Sequence, residues 1–259
     1  MKNIFRILAV LLLLHLFTSD RTTAIPLQQE ALKQDAQAQF SSLAEAENLI
    51  NEAGKLYQQG KYNQAIASGK RALQIREKLL SGDDPVIVAN LKYLARLYRA
   101  NGEYDEAKKL YLQVLRIQEA KLEPTNFELA RTLKEAACMS RRIAQQDEAK
   151  EFDERASKII SAGITITDKS SSGIIQGRIL KQPAPKYPEE AKRRGIAGEV
   201  LVEIIFDETG KVVYACAIKG QPLLSIAAEE AAMRAVFTPA SLAGVSIKVT
   251  GVMIYQFKP

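Results

Sequence analysis

The sequence predicts an α-helical solenoid followed by a small α+β domain with an antiparallel sheet. Three observations lead to this prediction. Apolar residues recur at helical spacing through residues 42–160, and many of them return after 42 positions. Beyond residue 174 the spacing changes to the alternation typical of β-strands, with a hairpin turn between two of them. A chain of 259 residues has room for two such domains and short tails.

The composition is that of an ordinary globular protein, with 47% hydrophobic and 25% charged residues. The formal net charge is +6, but both signs are interspersed through both predicted domains. Proteins that bind nucleic acid usually concentrate positive charge on one face. We therefore expect no nucleic-acid partner.

The first 24 residues have the character of a secretory signal peptide. Lys2 and Arg6 precede an apolar run at 7–17, and a polar TSDRTTA stretch ends at Ala24, where cleavage is expected. A bilayer-spanning helix needs about 20 apolar residues, which is more than this run provides. The alternative is a short, uncleaved N-terminal anchor.

Histidine and cysteine usage limits the chemistry of the exported chain. The one histidine, His15, lies inside the apolar run and would be removed with it. Ser-His and Cys-His nucleophilic pairs and His-ligated metals would then be excluded. We expect no catalytic residue, no metal and no cofactor.

The two cysteines, Cys138 and Cys216, lie in different predicted domains. That separation favours two unpaired thiols, although export would permit a disulfide. Cys216 falls in a predicted strand, so we expect it to be buried.

A 42-residue repeat organises the helical region. Gly60-Lys61-Tyr62 returns as Gly102-Glu103-Tyr104, whereas the third copy has Ala144 in place of the glycine. Apolar and small positions recur in the same register: Leu49, Leu91 and Leu133; Ala53, Ala95 and Ala137; Ala65, Ala107 and Ala149. Each repeat therefore predicts two helices, with the glycine as a left-handed C-cap between them and the alanines allowing close packing.

This pattern resembles the 42-residue tetratricopeptide repeats (TPRs) of kinesin light chains. The resemblance implies a helical stack with a groove that binds a peptide or protein segment. Asn48 and Asn90 stand one period apart on the first helix of their repeats, where such an asparagine often contacts a ligand backbone. The alternative is a polar residue on a solvated helix face, since the third copy has Thr132 there.

The second domain reads as strand, helix, strand, strand, helix and strand, a β-α-β-β-α-β order. Its predicted elements are strand 177–180, helix 189–194, strand 200–206, a turn at 207–210, strand 212–218, helix 223–236 and strand 246–257. The whole chain is divided into a signal segment at 1–24, a polar segment at 25–41, repeats at 42–160, a linker at 161–173 and this domain at 174–259.

Four motifs in this domain resemble the C-terminal domain of the TonB family. They are the Tyr187-Pro188 helix, the strand at Gly198-Glu199-Val200, the DETG turn and the FTPA segment that starts at Phe237. The resemblance implies contact with outer-membrane transporters, largely by pairing a strand with a short segment of the partner. It also implies a periplasmic location, or attachment to the inner membrane if the first segment is retained.

The last strand, 247–257, is the candidate edge for this pairing; the alternative is an interior strand with no ligand role. The candidate partner-binding residues of this domain are Tyr187, Ile247, Val249, Tyr255 and Phe257. The expected partners are proteins, namely a transporter segment and, for energy coupling, inner-membrane motor components. The oligomeric state is left open.

Two features of an energy-transducing TonB are not evident, namely a long inner-membrane anchor and a Pro-rich spacer. The repeats occupy the place of the spacer. The competing hypothesis is therefore a periplasmic TPR interaction scaffold with no role in energy transduction. An enzyme would need a site that the histidine-free chain does not present.

Overall fold

A computed structural model describes residues 25–162, 178–242 and 245–258. The chain forms two compact units, residues 1–90 and 91–259. The predicted signal segment and most of the predicted linker lie outside the described residues. In the described part of the chain, none of the helices is long and apolar enough to cross a membrane.

The first unit is built on a helical hairpin. Helix α1 (Ile25–Gln58) is continuous through the polar segment into the first repeat, and it packs on α2 (Tyr62–Leu79). Gly60 between them has φ +74°, as expected for a left-handed C-cap. The predicted small positions Ala53 and Ala65 are fully buried, which allows the two helices to approach closely.

Helix α3 (Pro85–Ala100) begins in the first unit, and the second unit continues with three more helices of the repeat region. These are α4 (Tyr104–Lys121), α5 (Phe127–Arg142) and α6 (Gln146–Ala162). Helix α5 packs against both α4 and α6. The helical repeat region is thus confirmed, with two helices per repeat.

The three turns inside the repeats share one geometry. The amide of the residue after the left-handed position donates to a carbonyl five residues back: Lys61 to Leu56, Glu103 to Tyr98, and Gln145 to Ser140. In the third turn Ala144 takes the left-handed conformation, with φ +60°. The third copy, which has alanine in place of glycine, therefore keeps the same turn, but with a backbone strain that glycine would avoid.

The α+β domain follows the predicted β-α-β-β-α-β order, with three extra short strands. Its elements are β1 (Ile179–Lys181), α7 (Glu189–Arg193), β2 (Gly198–Phe206), β3 (Val212–Lys219), α8 (Pro222–Met233), β4 (Val236–Phe237), β5 (Ala240–Leu242), β6 (Val245–Ile247) and β7 (Val249–Phe257). The main sheet is antiparallel in the order β3-β2-β7, and β1 pairs with β4 and β5 with β6. The predicted last strand is thus divided at Lys248.

One face of the main sheet forms the domain core. Val200, Val202 and Ile204 of β2 point into it, and alanines of α8 pack closely over them. The Ala-rich sequence of α8 suits this position, because small side chains let a helix lie close to a sheet. The turn between β2 and β3 is also as predicted, with Gly210 at φ +84°.

The expectation of two unpaired thiols is wrong. Cys138 of α5 and Cys216 of β3 form a disulfide, with Cα atoms 6.0 Å apart and a separation of 78 positions in sequence. The two predicted domains meet there, because α5 packs against β3. No local pattern reveals that packing. The predicted burial of Cys216 is confirmed.

Candidate functional site

The candidate binding edge is strand β7, which pairs with β2 on one side only in the described sheet. The predicted edge position of the last strand is therefore confirmed. The other edge strand, β3, packs against α5. Strand β3 is thus the edge that packs on the repeat helices, and β7 is the opposite edge of the sheet.

Side chains alternate strictly along β7. Met253, Tyr255 and Phe257 are buried in the domain core. The intervening Val252 and Ile254 are 54% and 51% exposed, which is unusual for large apolar residues on a regular strand. The opposite face of β7 therefore offers two apolar side chains to a partner.

The backbone of β7 alternates in the same way. The carbonyl of Ile254 accepts a hydrogen bond from Gln182 Nε2 at 3.2 Å, so it faces away from β2. In an antiparallel ladder the amide and the carbonyl of one residue point to the same side. The outward backbone groups of β7 are therefore those of Thr250, Val252, Ile254 and Gln256. A fourth strand would pair with these residues, and it would compete with Gln182.

The candidate residues Ile247, Tyr255 and Phe257 are placed differently from the prediction. Their side chains are at most 6% exposed and belong to the core. Ile247 lies on β6 and pairs with Ala240 instead of extending β7. Val249 does lie on β7, but it packs against the same core. Strand alternation explains the error, because the apolar positions of a half-buried strand face the core.

Tyr187 also has an internal role. Its hydroxyl donates to the Ile196 carbonyl at 2.7 Å, and its ring meets the edge of Phe257, with centroids 5.5 Å apart. It thereby fastens the segment around α7 to the end of β7. These contacts help to hold β7 in place. The Tyr187 side chain is partly buried against the domain core.

The two asparagines of the repeats have different surroundings. Asn48 is exposed on α1, and its contact with a ligand stays a prediction. Asn90 is 1% exposed; its Oδ1 accepts from Arg76 at 2.9 Å, and its Nδ2 donates to the Gly69 carbonyl. Both polar atoms of Asn90 are engaged between helices, so the predicted ligand contact is wrong for this residue.

The same polar contact recurs one repeat later. Thr132 and Gln118 stand 42 residues after Asn90 and Arg76, and the Thr132 hydroxyl lies 2.7 Å from Gln118 Oε1. Both residues are buried. The repeated position therefore joins the second helix of one repeat to the first helix of the next. The repeat register showed the equivalence, but the sequence did not show which face it occupied.

The junction between α5 and β3 is a feature that the sequence did not predict. Beside the disulfide, the Tyr214 hydroxyl donates to the Lys134 carbonyl at 3.1 Å. Lys134 Nζ donates to Glu203 of β2 at 2.7 Å and to Asp153 of α6 at 2.9 Å. Arg141 Nη2 lies 3.7 Å from the same Glu203. Glu203, an acidic residue inside an apolar strand, was the available signal.

A second buried carboxylate completes this junction. Glu229 of α8 is fully buried, and its Oε1 accepts from Arg142 and from the Ala217 amide, both at 2.7 Å. Sulfur and oxygen atoms of Cys138, Cys216 and Glu229 lie within 4.8 Å of one another. The disulfide leaves neither cysteine as a thiolate, so in this state the three residues do not make a metal site.

Two kinds of family model match the chain. Residues 183–259 match the model of the Gram-negative bacterial TonB protein C-terminal. Residues 56–86 and 85–162 match models of the tetratricopeptide repeat. Both resemblances predicted from the motifs are confirmed: the chain carries TPRs followed by a TonB-type C-terminal domain. A search of curated proteins gave no significant match.

Solved structures with similarity to the chain include TPR proteins. The kinesin light chain TPR-like repeats of Podosopora anserina are 27% identical over 48% of this chain and 59% of that chain, with a TM-score of 0.42. BtubC (BKLC) from P. vanneervenii is 17% identical over 57% and 60%, with a TM-score of 0.44. The TPR domain of Arabidopsis FLU is 16% identical over 47% and 98%, with a TM-score of 0.40. The chain spans about three fifths of the first two neighbours.

Proposed function

We propose that this chain, which joins TPRs to a TonB-type C-terminal domain, is a periplasmic component of envelope transport. Its C-terminal domain pairs through β7 with an extended segment of an outer-membrane transporter. Its repeats bind a further protein partner, with Asn48 as a candidate contact. The role is binding without catalysis.

The free edge of β7 is the observation that carries the proposal. An extended segment would gain main-chain hydrogen bonds from the outward groups of Thr250, Val252, Ile254 and Gln256. The exposed side chains of Val252 and Ile254 would add apolar contacts next to that pairing. Binding of the segment would break the exposed hydrogen bond from Gln182 to the Ile254 carbonyl. Water readily replaces such a bond.

The disulfide supports the proposed compartment. Disulfides persist in oxidising compartments such as the bacterial periplasm and are rare in the cytosol. Cys138 and Cys216 are joined in a chain whose first residues have the character of an export signal. Export and disulfide formation therefore point to the same location.

Site-specific crosslinking tests the proposed pairing. A photoreactive amino acid is placed at Ile254 of β7 or, as the control, at Ile218 of β3, which is 43% exposed. We expect the probe at position 254 to crosslink to the periplasmic segment of an outer-membrane transporter, identified by peptide mass spectrometry. No transporter product from 254, or equal products from both positions, would contradict the proposal.

A backbone variant separates strand pairing from simple proximity. Val252→Pro removes an N–H that faces away from β2, so the ladder with β2 keeps its bonds. Val252→Thr is the matched control, since it retains the N–H. We expect the crosslink at 254 to be lost with proline and retained with threonine, at comparable melting temperatures. Retention with proline would argue against strand addition.

The junction favours a second candidate function, a periplasmic interaction scaffold without energy transduction. The disulfide and the ion pairs of Glu203 hold the C-terminal domain directly on α5. Such a domain is held close to its repeats and is not carried on a long spacer. Collapse of the proton-motive force in cells discriminates the two: crosslinking at 254 changes if the chain works with motor components and is unchanged for a scaffold.

A further inference from the structure

Glu229 is an acidic residue on the buried face of α8, which is otherwise apolar except for Ser225. Its Oε1 accepts hydrogen bonds from Arg142 of α5 and from the Ala217 amide of β3. Its Oε2 has no hydrogen-bond partner among the described residues, and Arg99 Nε lies 3.9 Å from it. A buried carboxylate oxygen without a hydrogen bond is costly, so the presence of Glu229 in this core calls for a reason.

The carboxylate of Glu229 lies beside the disulfide. One of its oxygen atoms and the sulfur atoms of Cys138 and Cys216 lie within 4.8 Å of one another, and all three residues are fully buried. They come from three elements, α8, α5 and β3. In the part of the chain that the structure describes, no other three Cys, His, Asp or Glu side chains form such a group. Thiolates and carboxylates are both ligands of Zn²⁺ in proteins.

Reduction of the disulfide would make both sulfur atoms available as ligands. An external dithiol supplies the two electrons. One of its thiolates attacks a cysteine sulfur to give a mixed disulfide, and its second thiol then releases that sulfur and closes a disulfide within the reductant. Cys138 and Cys216 are left as two thiols. A metal ion displaces one proton from each of them, because the thiolate is the form that binds a metal.

The spacing of the three ligand atoms suits a zinc ion after this change. Zn–S bonds are about 2.3 Å and Zn–O bonds about 2.0–2.2 Å long, so at near-tetrahedral angles two sulfur atoms lie about 3.8 Å apart, and a sulfur and an oxygen about 3.6 Å. Both distances fall inside the 4.8 Å that bounds the three atoms in the structure. Rotation of the three side chains is therefore enough to bring them to one ion.

The surrounding charges balance such a site. Two thiolates and one carboxylate carry three negative charges, and Zn²⁺ neutralises two of them. Arg142, which pairs with Glu229 at 2.7 Å, and Arg99 supply positive charge that offsets the remainder. This balance matters because an uncompensated charge in a fully buried position is costly. Arg142 also orients the carboxylate, as second-shell partners of metal ligands do.

We propose that Cys138, Cys216 and Glu229 bind a Zn²⁺ ion when the disulfide is reduced. The ion then links α5, β3 and α8 in place of the covalent bond, so the junction is held together in both redox states. Thiolate ligands disfavour Mg²⁺ and Ca²⁺, and a carboxylate beside them favours Zn²⁺ over copper(I). The inference does not depend on the proposed transport function.

Zinc binding by the reduced chain tests the proposal. Because both sulfur atoms are buried, the full chain, made without a histidine tag, is reduced with dithiothreitol in urea. Gel filtration removes both reagents, and the chain is refolded without oxygen, with and without Zn²⁺. Elemental mass spectrometry should find one zinc ion per reduced chain and none per oxidised chain. Zinc should also raise the melting temperature of the reduced chain, since only the folded chain assembles the three ligands.

Substitutions connect that binding to the named ligands. Loss of a second-shell partner typically weakens metal binding by about 10–100-fold, so loss of a ligand through Glu229→Gln should weaken it by about a hundredfold or more. Glu230→Gln is the matched control, because successive residues of a helix face different directions, and it should bind zinc like the parent chain. Cys138→Ser/Cys216→Ser should bind none. Zinc X-ray absorption of the parent chain, which does not depend on the folding of any variant, should show two sulfur ligands.

Several outcomes would overturn the proposal. Equal zinc contents of the reduced and oxidised chains would do so, as would equal affinities of the parent chain and Glu229→Gln. A reduced chain that refolds without taking up Zn²⁺, or that does not refold even in its presence, would show that the site does not form. If copper(I) binds and Zn²⁺ does not, the sulfur atoms act without the carboxylate and the proposal is wrong.

Discussion

The Cys216 sulfur of β3 is bonded to the Cys138 sulfur of α5, so one covalent bond joins the repeats to the C-terminal domain. Both cysteines are fully buried. The bond lies among Tyr214, Glu203 and Glu229, whose polar groups reach Lys134, Arg141 and Arg142. The two domains therefore meet at a packed and partly charged junction within the second unit.

Loss of the disulfide should lower the free energy of unfolding substantially. The cysteines are 78 positions apart, and for a loop of that length the chain-entropy model gives about 4.5 kcal/mol. Urea unfolding of the oxidised chain and of Cys138→Ala/Cys216→Ala provides the measurement. Intact mass establishes the bonded state of the parent chain beforehand. Equal midpoints for the two chains would show that the bond does not stabilise this junction.

Removal of the Glu203 charge should lower the free energy of unfolding by about 1–3 kcal/mol. Lys134 is 6% exposed, and among the described residues it would then have only Asp153 as a carboxylate partner. The variant is Glu203→Gln, and urea unfolding measures the change. Glu199→Gln, on an exposed position of the same strand, should change stability little. In a double-mutant cycle with Lys134→Met, a coupling energy near zero would contradict the assigned pair.

Ala144→Gly should stabilise the third repeat. Ala144 has φ +60°, a conformation that costs an L-residue about 1–2 kcal/mol and costs glycine very little. Part of this gain is lost to the greater entropy of glycine in the unfolded chain, so we expect a net increase of about 0.5–1 kcal/mol. Thermal unfolding measures it. Ala100→Gly, at the end of α3, should lower the stability instead. A decrease for both variants would contradict the backbone strain assigned to Ala144.

Gly210→Ala should destabilise the C-terminal domain by about 3 kcal/mol or more. A Cβ atom there would lie 2.0 Å from the Phe237 carbonyl oxygen, at a residue with φ +84°. It would also disturb the hydrogen bond from the Phe237 amide to the Gly210 carbonyl. Gly82→Ala is the control, since no atom lies within 4 Å of its added Cβ. Similar melting temperatures for the two variants would contradict the close approach.

The same turn should contribute a pH-dependent stability. Burial raises the pKa of Asp207, but hydrogen bonds from Thr209 and Lys211 outweigh it and hold the pKa below its ordinary value. The carboxylate therefore stabilises the folded chain above the unfolded-state pKa of about 3.9, and this contribution is lost as the pH falls through the lower folded-state pKa. The unfolding free energies of the parent chain and Asp207→Asn should converge as the pH is lowered from 6 to 3. A constant difference would exclude this linkage.

The repeats and the strands could be predicted because their signals are local. The 42-residue register places Gly60 and Gly102 at left-handed turns and buries Ala65 and Ala107 between helices. Alternation along β7 predicted a half-buried strand. It does not predict which face is open: Tyr255 and Phe257 are buried, whereas Val252 and Ile254 are exposed. An apolar side chain has the same periodicity whether it faces the core or a partner.

The two domain types, their order and the turns within them follow from the sequence, because helix spacing, strand alternation and glycine conformation act over a few residues. The packing of α5 on β3 follows from the folded chain alone. That contact joins Cys138 to Cys216, gives Glu203 its cations and brings Cys138 beside Glu229. Cys138 and Cys216 are 78 positions apart along the chain, and Lys134 and Glu203 are 69 apart. At such distances only packing of the folded surfaces determines which side chains meet.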